Sequence, residues 1–124
     1  MKHKNQDLLD RVKKLAVVIV KMTDHFPTKK PAAWKLSEQI SDSSMSVYAN
    51  LREAQSARST KEFISINGIA LKESNETNGW LEVLYDLDWI KKRYVRALMK
   101  ESEEISKIIA TIIINSKGIK GKRK

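Results

Sequence analysis

The sequence predicts an all-α protein, an antiparallel up-and-down four-helix bundle. Its 124 residues are enough for one compact domain with one hydrophobic core. Two Pro and four Gly are too few for the many tight turns that a sheet architecture needs. Apolar residues instead recur at three- and four-residue spacing along four long segments with short connections, a pattern typical of a helical bundle.

The first helix is predicted from about Gln6 to Asp24. Its apolar stripe comprises Leu8, Val12, Leu15, Ile19 and Met22. Val17, Val18 and Val20 add apolar surface on other faces, so we expect the second half of this helix to be buried nearly all round. The segment 25–34, HFPTKKPAAW, ends the helix because prolines disfavour helical geometry in the residues before them.

Two further helices are predicted in the middle of the chain. The second runs from about Ala32 to Ala54, and its stripe comprises Ala33, Leu36, Ile40, Ser44, Val47 and Leu51. The third runs from about Thr60 to Leu87, and its stripe comprises Phe63, Ile66, Ala70, Thr77, Leu81 and Leu84. Ser59, followed by Glu62, matches a capping box, in which a hydroxyl and a carboxylate satisfy free amides at a helix start.

A fourth helix is predicted from about Ile90 to Asn115, after the turn sequence DLDWI. Its stripe comprises Tyr94, Leu98, Ile105, Ile108, Ile109 and Ile112. Residues 1–116 are therefore predicted to form the bundle domain, and residues 117–124 a basic, disordered tail.

Some surfaces of these helices indicate contacts with further copies of the chain. Apolar segments that one core cannot absorb lie at Val17–Val20, at Ile64 with Leu71, and at Ile112–Ile114. Contiguous apolar surface of this kind usually marks an interface, so we expect a homo-oligomer. Gly68 and Gly79 weaken a helix and are interpreted as sites of close contact.

The positive charge is concentrated at the ends of the chain. The formal net charge is +9, from 24 Lys and Arg against 15 Asp and Glu. Removing Lys2, Lys4 and the five cations of the tail (Lys117, Lys120, Lys122, Arg123 and Lys124) leaves 17 Lys and Arg against 15 Asp and Glu. Such a tail either binds phosphate backbones without reading sequence or only keeps the protein soluble.

The residue types argue against an enzyme. Without cysteine there is no disulfide, thiolate zinc site or Cys nucleophile. No nucleophile elbow, S-x-x-K, Walker or dinucleotide glycine motif occurs. Glu73 with Glu76 and Glu101 with Glu104 supply Glu-x-x-Glu, whereas di-iron bundles need Glu-x-x-His. We expect no catalytic residue, no cofactor and no metal.

No targeting or membrane-spanning segment is recognised. Charges at Asp7, Asp10 and Arg11 interrupt the stretch where a signal peptide would be apolar. The longest apolar run, Leu15–Val20, has only six residues, too few for a membrane span. We therefore expect a cytoplasmic protein that does not contact membranes.

The turn KKRYVR is the first candidate nucleic-acid site. It places Lys91, Lys92, Arg93 and Arg96 around Tyr94, and cations contact phosphates while an exposed aromatic ring can stack a base. The alternative is structural: the tyrosine lies on the core stripe, and the cations form a solvated face balanced by the two aspartates of DLD.

The stretch Ser46–Leu71 contains the second candidate. Its functional interpretation is that Arg52 and Arg58 donate to phosphates. Its structural interpretation is that Asn50 and Glu53 bond across the junction of helices two and three, while Arg58 pairs with Glu53 or caps carbonyls of the second helix.

Several short elements follow one another in a fixed order from the first helix to the fourth. They are Phe26-Pro27, Ser37-x-Gln39-Ile40, Ser46-Val47-x-Ala49-Asn50-Leu51-x-Glu53, Arg58, Lys61-Glu62-Phe63, Ile69-Ala70-Leu71, Glu76 and Trp80-Leu81. In this order and spacing the chain resembles the four-helix-bundle family of 23S rRNA intervening-sequence proteins, which also includes accessory proteins of diversity-generating retroelements. The resemblance covers nearly the whole chain.

The resemblance implies a ring-like homo-oligomer, typically a homopentamer, that binds structured RNA or a ribonucleoprotein without catalysis. The accessory proteins bind a reverse transcriptase and nucleic acid on a basic surface. This chain departs from the family pattern at Ser41-Asp42, where a basic pair is usual, and at Glu53-Ala54, where Glu-Gly is common. Two fewer phosphate contacts would lower the log-log salt slope by roughly 1.8 for duplex-like nucleic acid.

Two functions remain in competition. The first is an oligomeric protein that binds RNA through Arg52, Arg58, the Lys91–Arg96 turn and the tail. The second is a structural adaptor ring that binds a protein partner, such as a reverse transcriptase, without reading RNA. The basic tail and the resemblance favour the first, and the nearly neutral body of the chain favours the second.

Overall fold

Four α-helices account for most of the chain in the computed structural model, which describes the backbone of residues 2–122 and the side chains of residues 6–118. They are α1 (Lys2–Met22), α2 (Pro31–Ala54), α3 (Thr60–Leu87) and α4 (Lys92–Lys122). A 3₁₀ turn, Thr23–His25, continues the end of α1. The part of the chain described contains no strand, and the predicted all-α four-helix bundle is confirmed.

The helix boundaries agree closely with the sequence patterns in the middle of the chain. The prediction for α3 is confirmed at both ends, and α2 begins one residue before its predicted start, with Pro31 in its first turn. The helix α4 begins at Lys92 and continues beyond the predicted Asn115. The side chains of residues 119–124 lie outside the described residues, so the disordered tail and the domain boundary at residue 116 stay predictions.

The start of α3 shows how local chemistry sets the boundary. Ser59 is the N-cap, and its Oγ accepts the Glu62 N–H at 3.0 Å. The Glu62 carboxylate accepts the backbone N–H of Arg58 at 2.7 Å, one residue earlier than in an ideal capping box. The predicted capping pair is therefore confirmed, with a shift of one residue in the returning hydrogen bond.

The four helices pack in chain order around one core. Extensive contacts join α1 to α2, α2 to α3 and α3 to α4, whereas α1 and α4 meet only sparsely. The stripes predicted for α1 and α2 are confirmed as buried. The apolar core consists of Leu8, Val12, Leu15, Ile19, Met22, Phe26, Ala33, Leu36, Ile40, Val47, Leu51, Ala70, Leu81, Leu84, Val95, Ile105 and Ile109.

Two expectations about surfaces are wrong for the single chain. Val17, Val18 and Val20 are 43%, 40% and 36% exposed, so α1 is not buried all round. A Cβ added at Gly68 or Gly79 would have no neighbour within 4 Å in the described structure, so neither glycine marks a close contact there. At these positions α1 turns an apolar face, and α3 a face with small residues, away from the core.

No helix within the described residues has the length and apolar character of a membrane span.

Candidate nucleic-acid interface

The turn between α3 and α4 places two cations on one aromatic ring. Asp88 ends α3 with a φ of 60°, and its Oδ1 lies 2.9 Å from Lys92 Nζ. That Nζ also lies 4.1 Å from the Tyr85 ring centroid and donates to the Tyr85 carbonyl oxygen. Arg96 lies 5.6 Å from the same centroid and donates to Tyr85 Oη at 2.8 Å. The charge of Lys92 is thus balanced by Asp88. Arg96 contacts the neutral Tyr85 ring and its hydroxyl, so its positive charge is available to an anionic ligand.

Tyr94 is 54% exposed, so its predicted place in the core stripe is wrong. The helix instead buries Val95 completely, followed at helical spacing by Ile105 and Ile109. Because successive residues are rotated by about 100° around a helix axis, Tyr94 is turned out of the core. The Arg93 guanidinium lies 5.0 Å from its ring centroid and donates to its hydroxyl at 3.2 Å. The structural interpretation of this turn, which placed the Tyr94 ring in the core, is therefore wrong for that residue.

Three of the four predicted cations at this turn remain available to a ligand. Lys91, Arg93 and Arg96 are exposed, and none pairs with a carboxylate among the described side chains. Within the described residues, Lys92 alone of the four is balanced by an aspartate, as the structural alternative expected. The turn thus presents a cationic surface with an exposed ring at its centre.

An apolar groove of about 580 Å³ adjoins this surface, between the end of α1 and the start of α4. Its apolar and aromatic lining comprises Val18, Met22, Trp89, Ile90, Tyr94, Ala97 and Leu98. Lys21, His25 and Lys91 complete the lining, which contains no carboxylate. We call this feature the apolar groove. The Trp89 ring is packed against buried Phe26, with centroids 5.5 Å apart and planes tilted by 57°.

Sequence reasoning missed Lys21 and His25 as members of this site. They lie at the end of α1 and in the 3₁₀ turn that follows it, far along the chain from the α3–α4 turn. The signal was present, because in an up-and-down bundle the end of the first helix and the start of the fourth lie at the same end. Topology, rather than local pattern, therefore unites these residues.

The second candidate site lies at the other end of the bundle. Arg52 is in the last turn of α2 and Arg58 is in the connection to α3, both exposed and without an ion pair among the described residues. Asn50 donates to the Ser46 carbonyl oxygen at 2.9 Å and to its hydroxyl at 3.1 Å. The predicted bonds across the junction are therefore wrong, because Asn50 is bonded within α2 and the Arg58 side chain forms no ion pair among the described residues.

The predicted cations whose side chains the structure describes do not form one site. The helix α3 has 28 residues and is therefore roughly 42 Å long, and it separates Arg58 from the α3–α4 turn. Lys117, exposed near the end of α4, lies towards the end that carries Arg52 and Arg58. The side chains of Lys120, Lys122, Arg123 and Lys124 lie outside the described residues.

A layer of polar side chains crosses the middle of the core, and its hydrogen bonds link neighbouring helices. Ser74 and Ser106 share a hydrogen bond of 2.6 Å between α3 and α4, and Thr77 donates to Ser43 on α2 at 2.9 Å. Asn78 donates to Ser106 at 3.0 Å and accepts from Ser102. This layer consists of hydroxyls and one amide, without a base that could activate a nucleophile.

The carboxylates do not form a metal centre in the described part of the chain. No group of three or more His, Cys, Asp or Glu side chains lies together there. Glu101 is held instead by Arg11, which lowers the pKa of this carboxyl through hydrogen bonds and charge, against the opposing effect of burial. Burial raises the pKa of Glu73, and the neighbouring Glu76 adds to this rise.

These features define a class of protein: an all-α four-helix bundle with a basic, aromatic end. A profile of the family described as "23S rRNA-intervening sequence protein" matches residues 4–111. The chain belongs to this family.

A solved structure supports the family and the fold. The crystal structure of a protein of unknown function from the S23 ribosomal protein family, from Bacteroides thetaiotaomicron VPI-5482, is similar to this chain with a TM-score of 0.77 and 36% sequence identity. The match covers 86% of this chain and 97% of the other. No protein with a curated description matches the chain.

Proposed function

We propose that this chain is a non-catalytic, oligomeric, nucleic-acid-associated protein that binds structured RNA or a ribonucleoprotein through the α3–α4 end of the bundle. The observation that carries the proposal is the exposed ring of Tyr94 beside Lys91, Arg93 and Arg96, which have no carboxylate partner among the described residues. The name of the family, which refers to 23S rRNA, supports the same class of ligand. The proposal includes a cytoplasmic location, where ribosomal RNA is found.

Oligomerisation is part of the proposal because the single chain leaves large apolar side chains in water. Val17 and Val20 are exposed on α1, and Ile114 is 66% exposed on α4. Burying such side chains between copies is favourable by about 25 cal/mol per Å² of apolar surface. A ring, for which the family resemblance implies five copies, would also present several basic ends to one RNA and so raise its affinity through multivalency.

The experiment is a salt titration of binding to structured RNA, with the mass of the assembly measured in the same samples. Arg93→Ala with Arg96→Ala removes two cations from the α3–α4 end. Arg52→Ala with Arg58→Ala is the matched control, because it removes the same charge from the opposite end. A chain that ends at Ser116 tests the tail.

We expect the Arg93 and Arg96 variant to lower the slope of log K against log salt by about 1.4 to 1.8, the value for two lost phosphate contacts. The Arg52 and Arg58 variant should retain most of the slope and the same mass. Binding that is lost only with the tail would contradict the proposal, since it would reduce the interaction to non-specific phosphate attraction.

The adaptor ring is the second candidate, and the apolar groove is the observation that favours it. An apolar surface of this size can bind apolar side chains of a protein partner, such as a reverse transcriptase, without any contact to RNA. Absence of RNA binding in all forms, together with an intact oligomer, would support the adaptor and reject RNA binding.

A further inference from the structure

The apolar groove has the chemistry of a site for an unpaired base. Trp89 and Tyr94 provide aromatic surface, and Met22 and Leu98 contribute aliphatic surface beside them. Bases stack on aromatic side chains in single-stranded regions, where they are not engaged in a duplex. A volume of about 580 Å³ lies within the range of small-ligand sites, so the groove has room for one nucleotide.

The charged side chains that line the groove are positive and so complement the phosphate of a nucleotide. Lys21 and Lys91 line it from opposite sides, one on α1 and the other before α4, and His25 adds a ring nitrogen that can donate a hydrogen bond. No Asp or Glu is among the lining residues. A base would thus enter the apolar part while its phosphate lies near the two ammonium groups.

The aromatic walls are held in place before any ligand binds. Trp89 packs on Phe26, which is 6% exposed, and the Arg93 guanidinium lies over the Tyr94 ring. Such ordering lowers the entropy cost of binding. A duplex could contact the cations with its phosphates, but its paired bases could not enter the groove, so the apolar lining gives a preference for unpaired residues.

We propose that the apolar groove binds an unpaired nucleobase of a structured RNA, such as a bulged or looped-out base, with the base on Trp89 and Tyr94 and the phosphate on Lys21 and Lys91. The proposal rests on the proposed function, because it specifies the feature of the RNA that the α3–α4 end recognises.

The test uses two RNA hairpins of equal length and charge. One carries the fluorescent base 2-aminopurine unpaired in a single-base bulge, and the other carries it paired in the stem. The full chain is titrated with each RNA at one fixed salt concentration. We expect the chain to bind the bulged hairpin more tightly than the paired one. The fluorescence of the bulged 2-aminopurine should change on stacking, and that of the paired 2-aminopurine should not.

Variants then locate the site. Tyr94→Ala should reduce affinity for the bulged hairpin by about 5- to 140-fold and leave affinity for the paired hairpin nearly unchanged, since one base stack is lost. Lys21→Gln should lower the salt slope for the bulged hairpin by about 0.7. The matched control is Trp34→Ala, which removes an aromatic side chain that is 64% exposed and does not line the groove.

The outcomes separate this inference from the proposed function. Equal, salt-dependent binding of both hairpins that Tyr94→Ala does not alter would leave RNA binding intact and overturn the base site. Absence of binding to either hairpin would reject the proposed function, and the base site with it. A smaller assembly mass for the folded Tyr94→Ala chain would show that a second copy covers the groove, and would also overturn the base site.

Discussion

Arg11 on α1 and Glu101 on α4 meet in a two-point ion pair, with Nε 3.0 Å from Oε2 and Nη2 2.7 Å from Oε1. The pair crosses the seam where α1 and α4 otherwise pack sparsely. Both side chains are more than one third exposed, at 39% and 37%, so water screens much of their attraction. The contact therefore fixes how α1 approaches α4 more than it adds to the free energy of unfolding.

A double-mutant cycle measures this pair. We expect Arg11→Ala and Glu101→Ala to show a coupling energy of about 0.5 to 1 kcal/mol, the upper part of the range for surface pairs, because the geometry is bidentate. The measurement is urea unfolding at one protein concentration, so that any contribution of self-association to stability is the same for all variants. A coupling that does not decrease at high salt would contradict an exposed, screened pair.

The same pair predicts a dependence of stability on pH. Arg11 lowers the pKa of Glu101 below its ordinary value of 4.5 in the folded chain. The carboxylate therefore contributes stability above pH 4.5, and this contribution is lost as the pH falls from there through the lowered pKa. Glu101→Gln should flatten the acid limb of the stability curve, as measured by urea unfolding at a series of pH values.

Glu73 provides a control of opposite sign on the same curve. Its pKa is raised, first by burial and then by Glu76, so its ionised form is disfavoured in the folded chain. The penalty is complete above the raised pKa and disappears as the pH falls to the unfolded value near 4.5. We expect Glu73→Gln to increase stability at pH 7. A decrease at that pH would contradict the sign of this shift.

The sequence predicted the elements better than the surfaces because periodicity reports local structure. The boundaries of α2 and α3 and the core stripe of α1 follow from spacing, caps and prolines. The exposed position of Tyr94 did not follow from the sequence. The predicted stripe of α4 begins one residue too early and so assigns Tyr94 to the core instead of Val95. The apolar groove could not be predicted from local pattern, because Lys21 and Lys91 line the same groove only through the arrangement of α1 and α4 in the bundle.

Gly68 tests whether the proposed oligomer covers the outer face of α3. An added Cβ meets no atom within 4 Å in the described chain, so Gly68→Ala should stabilise the helix by about 0.8 to 1 kcal/mol. Gly79→Ala, which has equally open surroundings, is the matched comparison. The measurement is urea unfolding together with assembly mass. A loss of stability or of mass for Gly68→Ala alone would show that another copy packs against that glycine.

The polar layer provides a last prediction, because Ser106 serves two partners in the core. Its hydroxyl shares a hydrogen bond with Ser74 and accepts from Asn78 Nδ2. Ser106→Ala should cost about 1 to 3 kcal/mol in the free energy of unfolding, since it leaves the half-buried Asn78 amide without that acceptor.

The comparison for Ser106→Ala is Ser46→Ala, in which Asn50 retains the carbonyl oxygen of residue 46 as an acceptor. We expect this change to cost well below 1 kcal/mol beyond any difference in helix propensity. Combining Ser106→Ala with Asn78→Leu and Ser102→Ala should recover part of the loss if the unsatisfied amide causes it, because the amide and both hydroxyls that bond to it are then absent. Equal losses for Ser106→Ala and Ser46→Ala would instead show that the polar layer contributes no more than a half-buried hydrogen bond within one helix.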